Sequence, residues 1–285
     1  MNWSNLVCAE ELVPHLGDPA LRLVDARFVL AGADPEAGER AWRESHLPDA
    51  GYAHLDRDLS DHAKPASEGR HPLPDAQDFC AVLARLGITP GSQVVAYDAA
   101  DGAMAAARFW WLMKLLGHER VAVLDGGFAH WRALGLPLQT GAPRIQPGHY
   151  AASFDATRIV SVDEVQSRLA QSPGWLLDAR APERFRGEVE PLDRVAGHIP
   201  GARNRPFMAN IADGRWRPRE HLREEFAALM ATHSPDEIVL SCGSGVTACA
   251  NLLAMEYAGL PGARVYAGSW SGWISDSGRP IATGD

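Results

Sequence analysis

Cysteine is scarce in this 285-residue chain. The four present, Cys8, Cys80, Cys242 and Cys249, include no CxxC pair and join no His/Cys cluster of zinc-ligand type. A disulfide scaffold and a thiolate zinc site are thereby excluded, and no metal or organic cofactor is expected. No stretch approaches the roughly 18 apolar residues of a membrane-spanning helix. Positive charge is also short: 27 Lys and Arg stand against 36 Asp and Glu, a net charge of −9. That balance argues against nucleic acid or an acidic membrane as a partner. The opening Met1-Asn2-Trp3-Ser4-Asn5 has neither the basic region nor the apolar core of a leader peptide, and a reducing cytoplasm is the expected location. What is present, 46% hydrophobic and 22% charged residues, describes a globular chain long enough for one large domain or two ordinary ones.

The chain repeats itself. Leu23-Val24-Asp25-Ala26-Arg27 returns as Leu176-Leu177-Asp178-Ala179-Arg180, and Ser45-His46-Leu47-Pro48 as Gly197-His198-Ile199-Pro200. Val94-Val95-Ala96-Tyr97-Asp98 returns as Ile238-Val239-Leu240-Ser241-Cys242, and Val123 to Gly127 with Trp131 as Val265 to Ser269 with Trp273. Matches in one order at nearly constant offset mean duplicated domains, because solenoid repeats are far shorter, about 20–50 residues. Within each unit short apolar strands alternate with helical segments: a buried-strand pattern at Val94–Tyr97, a helix over Ala103–Leu116, a strand at Val121–Leu124. This predicts α/β units, each a parallel sheet with helices on both faces. The expected division is 1–142, a Pro/Gly-rich linker at 143–152, and 153–285. Residues in both copies, Arg27 and Arg180, His46 and His198, Trp131 and Trp273, read as structural.

Cys242 is the point at which the copies diverge. It begins Cys242-Gly243-Ser244-Gly245-Val246-Thr247, between the apolar Ile238-Val239-Leu240 and a run of helix formers from Ala248 to Tyr257. In an open parallel sheet, ligands sit beyond the carboxyl ends of the strands, where this loop falls. Glycines let backbone amides converge, and the helix start adds unpaired N–H groups, so the loop suits an anion such as the thiolate. A free cysteine titrates near about 8.5, and helix N-termini lower that by several units. The first copy has Asp98 at this place, followed by Ala99-Ala100-Asp101-Gly102 without the glycine pair, and is expected to be scaffold and cleft wall. Two enzyme classes use a cysteine in such a cradle. Phosphatases that form a phosphocysteine need an arginine after five intervening residues; here that residue is Ala248, and the loop holds no basic residue. The other class takes a sulfur atom onto the thiolate as a persulfide. Cys249, two helical turns beyond Cys242, reads as packing.

Over essentially its full length the chain resembles the rhodanese superfamily, in the branch with two domains that uses 3-mercaptopyruvate. The resemblance rests on the paired Asp-Ala-Arg and His-(Leu/Ile)-Pro motifs, on Asp125-Gly126-Gly127 with its echo at Gly268, and on the Cys242 loop. Thiosulfate-preferring relatives carry basic residues directly after the cysteine, where this chain has Gly243-Ser244. The resemblance implies a sulfurtransferase in which Cys242 takes sulfane sulfur from 3-mercaptopyruvate, releases pyruvate and passes the sulfur to cyanide or a thiol such as a thioredoxin-like dithiol. It implies a Ser–His–Asp relay of Ser244, His71 and Asp58, both partners drawn from the first half. It implies a carboxylate grip by Arg184 and by a second arginine some nine residues further on. Leu192-Asp193 precede Arg194 here, so Arg194 is the candidate and Arg186 the fallback. Gly243, Gly245, Val246 and Thr247 supply the loop backbone that lines the substrate site. Two other readings remain open: a thiosulfate sulfurtransferase using arginines outside the loop, and a carrier module that delivers persulfide sulfur to a partner protein.

Overall fold

In the computed structural model, which describes residues 1–29 and 34–285, the chain packs as two compact units. The first comprises Met1–Asp61, Pro74–Asp155 and Asp213–Trp216; the second comprises His62–Leu73, Ala156–Ala212 and Arg217–Asp285. Packing thus assigns residues 62–73 to the second unit, although the repeat pattern puts them in the first half. The stretch read as a linker runs along the first unit. There Gly148 donates its amide to Ala84 at 2.8 Å, and Tyr150 is buried with its hydroxyl 2.9 Å from His118 Nδ1.

The first unit carries a five-stranded parallel sheet of β1 (Leu6–Val7), β2 (Leu21–Asp25), β3 (Gly51–Tyr52), β4 (Gln93–Tyr97) and β5 (Val121–Leu124), in the order β1-β5-β4-β2-β3. The second carries β6 (Leu176–Asp178), β7 (Arg203–Asn204), β10 (Val239–Ser241) and β11 (Arg264–Val265), in the order β11-β10-β6-β7. The short strands β8 (Ile211–Ala212) and β9 (Arg215–Trp216) belong to neither sheet. Every residue of β4, β5, β6 and β10 is buried, which explains their continuous apolar runs. The expected helix over 103–116 forms as Ala105–Leu115, and the helix after Cys242 as Ala248–Tyr257. No described helix is long and apolar enough to cross a membrane.

Duplication extends to single hydrogen bonds. Asp25 accepts the amide of Arg27 at 2.9 Å and its Nε at 2.8 Å; Asp178 accepts the amide of Arg180 at 2.9 Å and its Nη2 at 2.7 Å. Each guanidinium then reaches the carbonyl before the paired histidine, Ser45 in one copy and Gly197 in the other. His46 pairs antiparallel with Gln139 and His198 with Ala282, while their Nδ1 atoms bond the carbonyls of Trp42 and Phe185. Trp131 and Trp273, both fully buried, each donate Nε1 to a proline carbonyl at 2.9 Å, Pro137 and Pro280. These pairs close each unit's ends onto its sheet. Removing one partner of such a buried ion pair costs about 3–5 kcal/mol.

Candidate active site

Cys242 follows β10 directly and is 1% exposed. The amide of Gly245 points at its sulfur, with N to Sγ at 3.1 Å. Gly245 must be glycine: its φ is +77°, and a Cβ there would sit 2.4 Å from the Ala267 carbonyl oxygen. Val246 is buried, and Thr247 occupies the N-cap of the helix Ala248–Tyr257. Cys249, the second residue of that helix, is fully buried and its sulfur lies 3.2 Å from the Gly245 carbonyl, as a packing residue would.

Ser269 is a neighbour that the sequence reading missed. Its Oγ accepts the amide of Cys242 at 3.1 Å, gives its proton to the Tyr266 carbonyl at 3.0 Å and lies 4.0 Å from Sγ. Its backbone has φ +52°, a conformation that costs a non-glycine residue about 1–3 kcal/mol. The signal was in the repeat: the matching residue is Gly127, whose φ is +55°. A serine held in a glycine's conformation, with its hydroxyl on the amide of the nucleophile, marks strain kept for position.

Ser244 and His71 come together within the second unit. His71 Nδ1 is 2.8 Å from Ser244 Oγ, and the edge of the His62 ring packs against the His71 ring, centroids 5.9 Å apart. If the hydroxyl donates, the imidazole proton sits on Nε2. The segment carrying His71 is fixed against the helix Ser269–Trp273. Arg70 donates its amide to Ser271 Oγ at 2.9 Å, and a Cβ on Gly272 would lie 2.8 Å from the Ser67 carbonyl. Asp58 has other partners. One carboxylate oxygen accepts the His54 amide and the other accepts Arg85 Nη2, each at 2.7 Å and both in the first unit. The structure therefore joins the serine and histidine of the expected relay and gives the aspartate a helix-capping role.

The arginines sort in the same way. Arg184 binds Glu190 through Nε and Nη2, the latter at 2.7 Å, and Asp193 through Nη2 at 3.1 Å. Arg194 instead donates Nη2 to the Ile274 carbonyl, capping the helix Ser269–Trp273. Arg186 pairs with exposed Glu188 at 2.8 Å. The residue nine positions beyond Arg184 is Asp193, whose other oxygen binds Arg70 Nη1. Glu190 holds that turn through the amides of Leu192 and Asp193, at 3.0 and 3.1 Å. Burial pushes the Asp193 carboxyl up, against the pull of Arg70 and Arg184. Burial also works upward on Glu190, but the bonds from Arg184 and the two amides bring it below its ordinary range. Arg70, unremarked in the sequence, meets Arg184 over the loop: a Cβ on Gly243 would lie 3.4 Å from Arg70 Nη2 and 3.5 Å from Arg184 Nη1.

Two parallel sheets of one design, with a cysteine seated at the carboxyl end of a strand in one of them, define the class. The sequence profile of the rhodanese-like domain matches residues 9–134 and again 161–276. The chain belongs to that family and holds two such domains in tandem. It is 47% identical over 287 residues to a probable 3-mercaptopyruvate sulfurtransferase of Pseudomonas aeruginosa, covering all of both chains. It is 38% identical to a putative thiosulfate sulfurtransferase, SseB, of Mycobacterium tuberculosis, covering 98% of this chain and 97% of that one. Among solved structures it resembles SseA of Escherichia coli, described as a 3-mercaptopyruvate sulfotransferase with a rhodanese fold. There the TM-score is 0.82 at 32% identity, over 94% of this chain and 99% of that one.

Proposed function

We propose that the protein is a sulfurtransferase that takes sulfane sulfur from 3-mercaptopyruvate onto Cys242 and passes it to cyanide or a thiol, releasing pyruvate. The observation that carries this reading is the Cys242 sulfur on the Gly245 amide, one residue from a serine bonded to histidine. The thiolate attacks the substrate sulfur, forming an S–S bond. The C–S bond breaks, and its electron pair leaves as the enolate of pyruvate. The substrate's thiol proton passes through Ser244 and His71 to the enolate carbon, which gives pyruvate and a Cys242 persulfide anion. The Gly245 amide and the helix start stabilise that anion. An acceptor thiol or cyanide then attacks the outer sulfur and restores the Cys242 thiolate. A thioredoxin-like dithiol fits the acceptor step, in a cytoplasm where free thiols persist.

A second reading, thiosulfate as donor, is favoured by the two guanidiniums over Gly243, which bring positive charge to the loop from outside it. Two observations weigh against it. The ionic groups around the site balance, Arg70, Arg180 and Arg184 against Asp178, Glu190 and Asp193, which suits a monoanion better than a dianion. The SseB-like relative, at 38% identity, is also less similar than the Pseudomonas aeruginosa relative, at 47%.

The test is kcat/KM for both donors with cyanide, on the native chain and Cys242→Ser, with mass spectrometry of the donor-treated protein. Mercaptopyruvate should be strongly preferred, and Cys242 should gain one sulfur, about 32 Da, that the variant does not acquire. Full activity in Cys242→Ser would sink the mechanism. Preference for thiosulfate would sink the donor assignment and keep the nucleophile.

A further inference from the structure

We propose that Asp193 selects the donor by charge: its buried carboxylate keeps the pocket over Gly243 suited to a donor with one negative charge and unfavourable to one with two. The inference deepens the mercaptopyruvate reading above and rests on it. Three carboxylates share the ionic cluster beside the loop, and two of them are tied to the fold. Asp178 holds the amide and guanidinium of Arg180, the pairing that Asp25 makes with Arg27 in the unit without a nucleophile. Glu190 holds the turn through the amides of Leu192 and Asp193. Asp193 does neither. Among the described residues its carboxylate bonds only two guanidiniums, Arg70 on one oxygen and Arg184 on the other, the latter at 3.1 Å. Its side chain is 5% exposed, so salt and water screen its charge little. It also lies one guanidinium away from the loop, since Arg184 Nη2, which it binds, is 3.5 Å from where a Cβ on Gly243 would stand.

That placement sets the field on any anion beside Cys242. With Asp193 the three guanidiniums of the cluster meet three carboxylates; without it they meet two, and the pocket gains one positive charge. The two donors differ in how long they carry a second negative charge. With thiosulfate, the Cys242 thiolate attacks the outer sulfur, the donor's S–S bond breaks with its electron pair, and sulfite leaves. The donor enters as a dianion, the leaving group departs as one, and no proton moves. Mercaptopyruvate enters as a monoanion, and the electron pair freed by C–S cleavage takes up the substrate's own thiol proton. A fixed carboxylate therefore opposes thiosulfate by one charge more than mercaptopyruvate, from binding to release. Donor choice then resides in an acid outside the Cys242 loop as well as in the neutral Gly243-Ser244 pair.

The test measures kcat/KM for both donors with cyanide as acceptor, in the full native chain, Asp193→Asn and Asp193→Glu. Sulfate and acetate serve as inert competitors of two charges and one. In Asp193→Asn the thiosulfate-to-mercaptopyruvate ratio of kcat/KM should rise about 10- to 100-fold, the scale of one unit charge felt across a guanidinium in a partly screened site. The change should lie mainly in the KM for thiosulfate, and the inhibition constant of sulfate should fall about 10-fold more than that of acetate. Asp193→Glu keeps the charge and should keep the native ratio. Asp193→Ser removes the charge with less bulk and repeats the measurement if the asparagine variant folds poorly. An unchanged ratio in the neutral variants, an equal shift in Asp193→Glu, or equal tightening of sulfate and acetate would overturn the inference and leave the donor reading standing. Failure of the donor reading shows separately, in the native chain, as a preference for thiosulfate or no turnover of mercaptopyruvate, and it would take this inference with it.

Discussion

After β4 the carboxylate of Asp98 gathers backbone amides, Gly102 on one oxygen at 2.8 Å, Met104 and Ala106 on the other at 3.2 and 3.4 Å. At the matching place after β10, the Cys242 sulfur receives the amide of Gly245 at 3.1 Å. The surrounding backbone is the same in both units: Phe128 and Ala129 donate to the carbonyls of Asp98 and Ala99, while Trp270 and Ser271 donate to those of Cys242 and Gly243. The sequence, with no glycine pair after Asp98, leads one to expect no cradle there. The structure corrects this, because amides from further along the turn converge on the aspartate. Both loops thus collect N–H groups at a strand end. In the first unit a built-in carboxylate consumes them; in the second a thiol leaves room for a transferred atom.

The larger difference lies around the loops. Arg70, Arg184, Asp193, Ser244 and His71 surround Cys242, and a strained serine replaces Gly127 as Ser269. This predicts that moving the cysteine does not move the activity. In a Cys242→Ser background, Asp98→Cys should leave sulfur transfer down by on the order of 10³-fold or more, since the nucleophile and the groups gathered around it act as a unit. Measurable rescue would mean that the side chain at the strand end is the whole difference between the copies. A smaller loss is expected when the nucleophile is kept and the relay removed. Ser244→Ala should lower kcat with mercaptopyruvate by about 100-fold, the usual scale for a proton-transfer group, while KM and the yield of persulfide at long times are retained. Unchanged turnover would reduce the His71–Ser244 contact to packing.

The sequence announced most of what repeats and little of what differs. Alternating apolar runs and the two Asp-Ala-Arg copies gave the sheets, because burial and backbone pairing leave periodic marks. Cys242, Ser244 and His71 were legible through the loop and the family resemblance. Arg70 and Asp193 were not, because their significance depends on residues 62–73 packing into the second unit, a long-range event without local pattern. The partners of Asp58 were hidden for the same reason: a carboxylate in a polar stretch does not advertise that Arg85 and the His54 amide will take it. Ser269 stood in plain view opposite Gly127, but only the φ of +52° shows that a serine is held where glycine belongs.

The finest test of the comparison asks what the first loop's amides do for Asp98. Burial, aided by the charge of Asp101, pushes its carboxyl up to about 6 in spite of the amide bonds, whereas an unfolded chain titrates near about 3.9. The folded state therefore keeps a proton that the unfolded state has lost. Stability contributed by this group is present below about pH 4 and is lost as pH rises through about 6, a cost of up to about 3 kcal/mol by neutrality. Asp98→Asn retains an acceptor for the Gly102 amide but has no charge to bury. In equilibrium urea unfolding, the variant should gain on the native chain by about 1–3 kcal/mol between pH 4 and 7, with little difference at the acid end. The opposite trend, the native chain gaining as pH rises, would mean that the amides reward a negative charge more than burial penalises it. The first loop would then be as good an anion trap as the second, and what separates the two units would be only the groups brought in around Cys242.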